Sequence, residues 1–413
     1  MSSAPARSIG AVAAMMIVAG NMIGSGIYLL PSSLADVGAI SLTGWALALA
    51  GSLLVGATLV QLGRTSEADM VGQVRETLGP MAGFVAAFVY WVQALIGNVA
   101  IALAVTGYLG FFWPELAQGG GVAGVTAVIV VSAAILNLTG AAMIARYEAS
   151  ALALGLLPVL LVALGGWLFF DSARFAANWS LTAQPLPMIA NQSLQIVFWA
   201  FLGLESASAI AGLLRNPERD LGRATLGGIL LAGVIYCLAC TAMFGLMEAK
   251  AIKASAAPFA DAATLMVGGS LALAVAAAAA FKASGTLAGW VLVTAQMSHS
   301  LTGAEEAPLR WPRLAVHAVL MVAIILATAS PTLNQQFTTI INASVGCSML
   351  VYALCAVAAL RRGGNRLVPL AALGFCMMFL ALGDPLYIWI ALGLAGLAIA
   401  VRLVMTRIAI PPS

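Results

Sequence analysis

Polar and apolar residues are segregated into long blocks along this chain. Several stretches contain no Asp, Glu, Lys or Arg, namely 8–35, 37–63, 77–114, 116–145, 175–204, 224–247 and 314–360. A helix needs about 20 apolar residues to cross a bilayer, so these stretches predict repeated crossings. Twelve spans of about 20 residues would occupy about 240 residues. The chain has 413, so the remainder is enough for short loops but not for a separate soluble domain.

Charged residues and turn signals set the limits of the predicted spans. Ser330 and Pro331 form a turn signal that divides the uncharged stretch 314–360 into two spans. The loop 248–268 is predicted either as a short amphipathic helix over the mouth of the protein or as a loop covering helix ends. The predicted spans are 10–30, 42–63, 80–109, 122–142, 149–170, 188–213, 224–247, 269–298, 311–330, 336–360, 366–382 and 386–406.

Composition excludes most other protein classes. Apolar residues make up 62% of the chain and charged residues 8%, whereas soluble domains average about 25% charged residues. Disordered, fibrous and disulfide-stapled secreted proteins are excluded, and a net charge of +3 does not indicate nucleic-acid binding. Cys237 and Cys240 have CxxC spacing but lie inside a predicted span with no histidine nearby, so we interpret them as packing residues. No metal or cofactor is expected.

Basic residues are distributed unequally between the two sides of the predicted membrane. With the N-terminus inside, 14 of the 18 Lys and Arg residues lie on the inner side, and Arg174, Lys250 and Lys253 lie outside. Lys282 falls within a span. Because cytoplasmic loops carry the excess of Lys and Arg, this distribution predicts that both termini are cytoplasmic and that the number of spans is even.

Two predicted spans contain sequences that an ordinary lipid-facing helix would not need. The first carries GNMIGSG (20–26) and the sixth carries WAFLGLES (199–206). Glycine costs about 1 kcal/mol relative to alanine in a helix, so these runs indicate unwound segments or very close helix contacts. Unwound backbone at membrane depth is tolerated where it lines a cavity. Transporters place such breaks in corresponding spans of two inverted halves, and here the breaks are five spans apart.

Longer motifs carry a family resemblance over about residues 8–300. The segments GNMIGSGIYLLPSSLADVG (20–38), YWVQALIGNVAIALAVTGYL (90–109), FWAFLGLESASAIAGLLRNPERDLGRATLGG (198–228) and GTLAGWVLVTAQ (285–296) occur in a fixed order. The chain resembles the basic amino acid/polyamine antiporters of the amino acid–polyamine–organocation (APC) superfamily, which exchange arginine for agmatine, lysine for cadaverine or ornithine for putrescine.

The resemblance implies an all-α polytopic membrane protein with about 12 transmembrane helices in a 5+5 inverted repeat, the leucine-transporter-like fold. Helices 1 and 6 would be discontinuous. The repeat units would be 8–170 and 188–360, with helices 11 and 12 in 366–406, all within one domain. The resemblance also implies a homodimer in a bacterial inner membrane and alternating access.

Site residues follow from the resemblance position by position. Met22, Gly24, Ser25 and Gly26 match the unwound first span, whose backbone and hydroxyl hold the substrate carboxylate. Asn98, Trp199 and Leu202 match contacts to the amine end or the body of the substrate. Trp290 matches the floor of the site, Tyr90 an inner gate and Glu205 a carboxylate associated with pH sensing.

The tryptophans support a site independently of the resemblance. A tryptophan face contributes about 0.5–2 kcal/mol when it contacts a cation, and two such faces could sandwich an organic cation. Tryptophans also collect at membrane interfaces, which fits Trp179 at the end of a span. Trp199 and Trp290 lie within their spans and fit that explanation poorly.

Two charges are predicted to lie inside spans, where they are costly. Glu205 is interpreted either as a proton-linked switch or as a structural carboxylate at the break. Lys282 departs from the family, which has a small residue there. It is interpreted as a partner of Glu205, as a tethered cation replacing a coupling ion, as a contact for the substrate carboxylate, or as a side chain snorkelling outward. A fixed cation would disfavour a dicationic amine.

These observations predict a secondary transporter that exchanges an amino acid for a related amino acid or amine. An alternative is a proton-coupled or facilitative carrier of neutral amino acids in which Lys282 replaces a coupling cation. A remote alternative is a membrane sensor that does not transport. An enzyme is not expected, because the sequence contains no HExxH motif, nucleophile–histidine pair or carboxylate cluster.

Overall fold

The computed structural model describes residues 9–64, 66, 68–206, 214–302 and 311–408. Regular structure in these residues is helical, apart from an isolated backbone bridge between Ile9 and Leu214. The first eight helices in chain order are α1 (Ala11–Met22), α2 (Leu30–Leu34), α3 (Leu42–Gly63), α4 (Met70–Leu78), α5 (Pro80–Leu109), α6 (Gly121–Leu136), α7 (Ala141–Leu160) and α8 (Ser172–Ala177).

The second half of the chain continues the helical pattern. Its helices are α9 (Leu186–Val197), α10 (Pro217–Leu246), α11 (Ala249–Ala254), α12 (Pro258–Val267), α13 (Gly269–Thr302), α14 (Trp311–Ala327), α15 (Leu333–Arg362), α16 (Leu367–Leu382) and α17 (Pro385–Ile408).

The helices confirm an all-α polytopic membrane protein. Within the described residues, eight helical segments are long and apolar enough to cross a membrane, and α1, α12, α14 and α16 are shorter apolar helices. The limits of α3 and α5 coincide with the predicted spans 42–63 and 80–109. Hydropathy predicted these limits well because Arg64 directly follows the first of these apolar runs and Gly79 directly precedes the second.

The fifth predicted span was wrong at its start. Helix α7 begins at Ala141, directly after a turn in which Gly140 has φ +95°, and not at 149. Its early turns carry the exposed Arg146 and the half-buried Glu148, so hydropathy alone did not identify them as helical. The correction places Glu148 inside a helix, whereas the sequence indicated Glu205 as the only acidic residue well inside a span.

The loop 248–268 contains two short helices, α11 and α12, separated by residues 255–257. Helix α11 packs on α2, and α12 packs on α13. At the centre of the molecule, α5 and α15 are the most deeply buried long helices. Helix α13 makes its most extensive contacts with α7 and α5. These long helices surround the breaks in the first and sixth predicted spans.

Candidate functional site

The first predicted span is interrupted as expected. Helix α1 ends at Met22, and Ile23 leaves the helical conformation. The Gly24 N–H donates to the Met22 carbonyl at 2.7 Å, which closes a tight turn. A short 3₁₀ turn, Ser25–Ile27, precedes α2. The break therefore coincides with the glycine-rich run of the sequence; the side chain of Ser25 lies outside what the structure describes.

The sixth predicted span is also interrupted. Helix α9 ends at Val197 and continues as a 3₁₀ turn, Phe198–Phe201. Leu202 is extended, with ψ 142°, and Gly203 has φ +98°. Because side chains disfavour this left-handed region, Gly203 is the residue that allows the chain to leave the helix here. The end of the predicted span, residues 207–213, lies outside the described residues.

A central cavity of about 50 Å³ lies between the two breaks. Nine residues that the sequence predicted line it: Met22, Gly24, Gly26, Tyr90, Asn98, Trp199, Leu202, Glu205 and Trp290. Several other residues that line it were not predicted from the sequence, including Gln93, Thr286, Ser348 and Tyr352. These polar residues lie within long apolar spans, where a buried polar side chain is itself a signal of a partner or a ligand.

Three buried polar atoms of the lining residues have no hydrogen-bond partner among the described residues. They are Gln93 Oε1, Asn98 Oδ1 and Trp199 Nε1. The other ends of the two amides are fixed, since Gln93 donates to Ser344 Oγ at 2.9 Å and Asn98 donates to Thr294 Oγ1 at 3.1 Å. Buried polar groups are nearly always paired, so two acceptors and one donor around one cavity indicate a site for a polar ligand.

Trp199 occupies space that two glycines leave open. A Cβ added at Gly26 would lie 3.3 Å from Trp199 Nε1, and one at Gly97 would lie 3.2 Å from the far edge of the indole. The ring is 7% exposed, and Trp290 of α13 is half-buried on the same cavity. The two rings therefore come from different helices to one cavity.

Two tyrosines hold the carboxylate of Glu205. The Tyr90 hydroxyl donates to Oε1 at 2.6 Å, and the Tyr352 hydroxyl donates to Oε2 at 2.9 Å. The family resemblance predicts that Tyr90 belongs to an inner gate, and the structure shows its hydroxyl hydrogen-bonded to Glu205. The interpretation of Lys282 as a partner of Glu205 is not supported, since Lys282 Nζ donates to Thr286 Oγ1 and the Glu205 oxygens accept from the two tyrosines.

A second, larger cavity of about 350 Å³ adjoins the first and is here called the inner cavity. It shares Asn21, Tyr90, Glu205, Thr286 and Trp290 with the central cavity. Its other lining residues are Asp69, Met70, Val71, Glu148, Gly203, Ser206, Lys282, Gly289, Val293 and Met297.

Lys282 lines the inner cavity and is 2% exposed, which contradicts the one of its four interpretations in which the side chain snorkels outward. Asp69 and Val293, which are exposed, also line this cavity. The cavity therefore extends to the side of the molecule that carries α4.

The opposite side of the breaks is closed. Ser32 of α2 donates to the Ser255 carbonyl at 2.9 Å, and Asp36 forms an ion pair with Lys253 at 2.6 Å. Thr338 of α15 donates to Ser33 Oγ at 3.0 Å. These contacts join α2 to α11 and α15 and seal the site from the α2 side.

Comparisons with known proteins place this arrangement in a family. The amino acid permease family model matches residues 9–413. The chain belongs to the amino acid permease family. The cadaverine/lysine antiporter of Escherichia coli K12 is 31% identical over 84% of this chain and 78% of the antiporter. The putrescine transporter PotE of the same organism is 30% identical over 86% and 83% of the two chains, and PotE of Haemophilus influenzae is 29% identical over 88% and 87%.

Membership of this permease family confirms the APC resemblance seen in the sequence. It identifies the chain as a multi-pass inner-membrane transporter and not as an enzyme. The breaks, the two cavities and the residues around them are therefore features of a transporter.

Proposed function

We propose that this permease exchanges an amino acid for a related amino acid or amine by alternating access. The two breaks would form the moving gates, and the two repeat units would be residues 8–170 and 188–360. The inner cavity would be the path to the cytoplasm, so the structure would represent an inward-facing state. The relatives whose names specify cadaverine/lysine exchange or putrescine transport support this substrate class.

One observation carries the proposal. The central cavity combines two tryptophan rings with unpaired buried acceptors of Gln93 and Asn98, next to two breaks in the helices. An organic ammonium group would find acceptors and aromatic faces there. The turn formed by residues 24–26 would meet the carboxylate of the substrate. A substrate binding in this way would bring both broken segments together without covalent chemistry.

Replacing Trp290 with alanine tests the site. Trp290→Ala removes an aromatic face from the cavity, so we expect substrate affinity to fall roughly two- to thirtyfold. The measurement is uptake of labelled amino acids into reconstituted vesicles preloaded with unlabelled amino acid. Trp389→Ala is the matched control, because that ring is 70% exposed and away from the cavity. Unchanged affinity in Trp290→Ala, with the fold retained, would refute this site.

A second candidate function has a specific observation in its favour. The buried Lys282 fits a carrier that moves neutral amino acids with a proton, or by facilitated diffusion, and uses a tethered cation. The same vesicles distinguish the two candidates when they are left empty. An obligate exchanger shows no net uptake into empty vesicles, whereas a proton-coupled or facilitative carrier does.

The orientation and the assembly belong to the same proposal. The distribution of Lys and Arg supports two cytoplasmic termini, and the family resemblance supports a homodimer.

A further inference from the structure

Lys282 is held in place by a glycine on the neighbouring helix. A Cβ added at Gly155 of α7 would overlap the lysine stem, lying 2.8 Å from its Cδ and closer to its Cβ and Cγ. The aliphatic stem therefore lies directly over the backbone of α7. Since the side chain is 2% exposed, the glycine makes room for a lysine that is buried in the protein rather than directed at lipid.

The ammonium group lies close behind the first break. Lys282 Nζ donates to Thr286 Oγ1 at 3.1 Å. The side chain of Thr286 in turn lies against Gly24, where an added Cβ would be 3.6 Å from Thr286 Cγ2 and 3.8 Å from Oγ1. An ammonium has three donors, and within the described residues the Lys282 ammonium donates one hydrogen bond, to Thr286. Two donors are therefore available to a ligand next to the broken segment.

In the same way, a carboxylate side chain of α7 packs over a glycine of α13. Glu148 lies over Gly289 of α13, where an added Cβ would be 2.7 Å from the carboxylate carbon. Lys282 and Glu148 line the same cavity. They do not form a close ion pair, since the ion pairs of the described residues are Arg174–Asp171, Lys253–Asp36 and Arg362–Glu76. The cavity is thus lined by a basic and an acidic side chain that do not contact each other.

The other carboxylates around the inner cavity are engaged elsewhere. Glu205 accepts hydrogen bonds from Tyr90 and Tyr352. Asp69 accepts the Gly72 N–H at 2.7 Å as the N-cap of α4. Neither carboxylate is bonded to Lys282, which is the basic residue next to the first break.

We propose that Lys282 provides the counter-charge for the carboxylate of the substrate. The inference rests on the proposed transport function and narrows it: both substrates of the exchange would carry a carboxylate, and decarboxylated amines would be excluded. A zwitterionic amino acid offers a carboxylate to the Lys282 ammonium. A diamine would bring a second positive charge next to a buried one, where the low dielectric strengthens repulsion.

Matched ligand pairs test this directly. Lysine and cadaverine, ornithine and putrescine, and leucine and isoamylamine each differ only by the carboxylate. We expect the purified protein to bind each amino acid about tenfold or more tightly than its amine, as a charge-assisted hydrogen bond would give. The measurement is ligand affinity from thermal-shift titrations. Equal or tighter binding of the amines by the wild-type protein would overturn the inference.

Two variants test the role of the ammonium itself. Lys282→Met keeps an unbranched stem over Gly155 and removes the charge, so the amino acid-to-amine affinity ratio is expected to fall towards one. Thr286→Val keeps the charge and removes its anchor, so the ratio should fall less. Lys250→Met is the matched control, because Lys250 is an exposed lysine of α11. An unchanged ratio in Lys282→Met also contradicts the inference.

The wild-type comparison remains decisive if either variant fails to fold. The outcomes also separate this inference from the proposed function. If neither member of any pair binds or is taken up, the transport proposal itself fails. If amino acids and amines bind equally well and are exchanged, the transport proposal stands and the role of Lys282 is refuted.

Discussion

Glycines determine how closely two helices approach next to the second break. Gly44 of α3 faces α9, where an added Cβ would overlap Ser193 Cβ and lie 2.7 Å from the backbone N of Leu194. The obstruction is partly backbone, which cannot move aside as a flexible side chain can. Small residues at such contacts are typical of membrane helix packing, and here one of them positions the helix that ends just before Trp199.

Gly44→Ala is expected to destabilise the protein. Overpacking a well-packed contact costs about 1–3 kcal/mol, so the melting temperature of the purified variant should fall. Gly124→Ala is the control, because nothing lies within 4 Å of an added Cβ at Gly124 in α6. Alanine is the better helix former, so this control should be neutral or slightly stabilising. Equal melting temperatures for the two variants would show that the α3–α9 contact is not tight.

At the scale of elements, one arginine attaches the short helix α4 to the end of α15. Arg362 donates through Nη2 to Glu76 Oε2 at 2.7 Å and through Nε to Thr77 Oγ1 at 2.6 Å. A hydrogen bond from Ser66 and the Arg362 guanidinium together hold the pKa of Glu76 below its usual value of 4.5. Helix α4 begins beside the inner cavity at Met70, so this clamp positions one wall of the cavity.

The clamp should make stability depend on pH in a defined direction. Because the pKa of Glu76 is lower in the folded state than in the unfolded state, its contribution is present above about pH 4.5 and is lost as the pH falls through the folded value. The wild type should therefore melt above Glu76→Gln at pH 7, and the difference should shrink below pH 4.5. Glu115→Gln, at an exposed carboxylate, is the control. A difference that is constant with pH would contradict the assignment.

At the scale of the whole molecule, one side of the two breaks is closed and the other is open. The α2 side is sealed by Ser32, Asp36 and Lys253, whereas the inner cavity reaches the exposed Val293 and Asp69 on the α4 side. In the proposed alternating-access mechanism, such an arrangement gives access to the candidate site from one side only. In the proposed orientation, with both termini in the cytoplasm, the open side faces the cytoplasm.

Labelling of introduced cysteines tests both the state and the orientation. Val293→Cys should react with a membrane-impermeant thiol reagent in inside-out vesicles, because its side chain lines the open cavity. Ser32→Cys, at a position that is 4% exposed, should remain protected. The wild-type protein measures the background from the five native cysteines. Reaction of Ser32→Cys with protection of Val293→Cys would mean that the opposite side is open.

Local signals were enough to predict much of the fold. The ends of α3 and α5 coincide with changes in hydropathy, and the glycine-rich runs coincide with both breaks. Trp199, Trp290 and Glu205 were predicted because their motifs are contiguous in the chain. Helix α7 was misjudged at its start because Arg146 and Glu148 lower the hydropathy of turns that are nonetheless helical.

Only the tertiary structure decided which of these residues meet. Tyr352 lies 147 positions from the carboxylate that it binds, and no local pattern encodes a contact over that distance. Likewise, the sequence determined that Lys282 lies inside a span, but not whether its side chain points to the interior of the protein or outward. Packing over Gly155 and bonding to Thr286 directed the ammonium to the cavity, because a buried charge takes the orientation in which neighbouring helices leave room and provide polar partners.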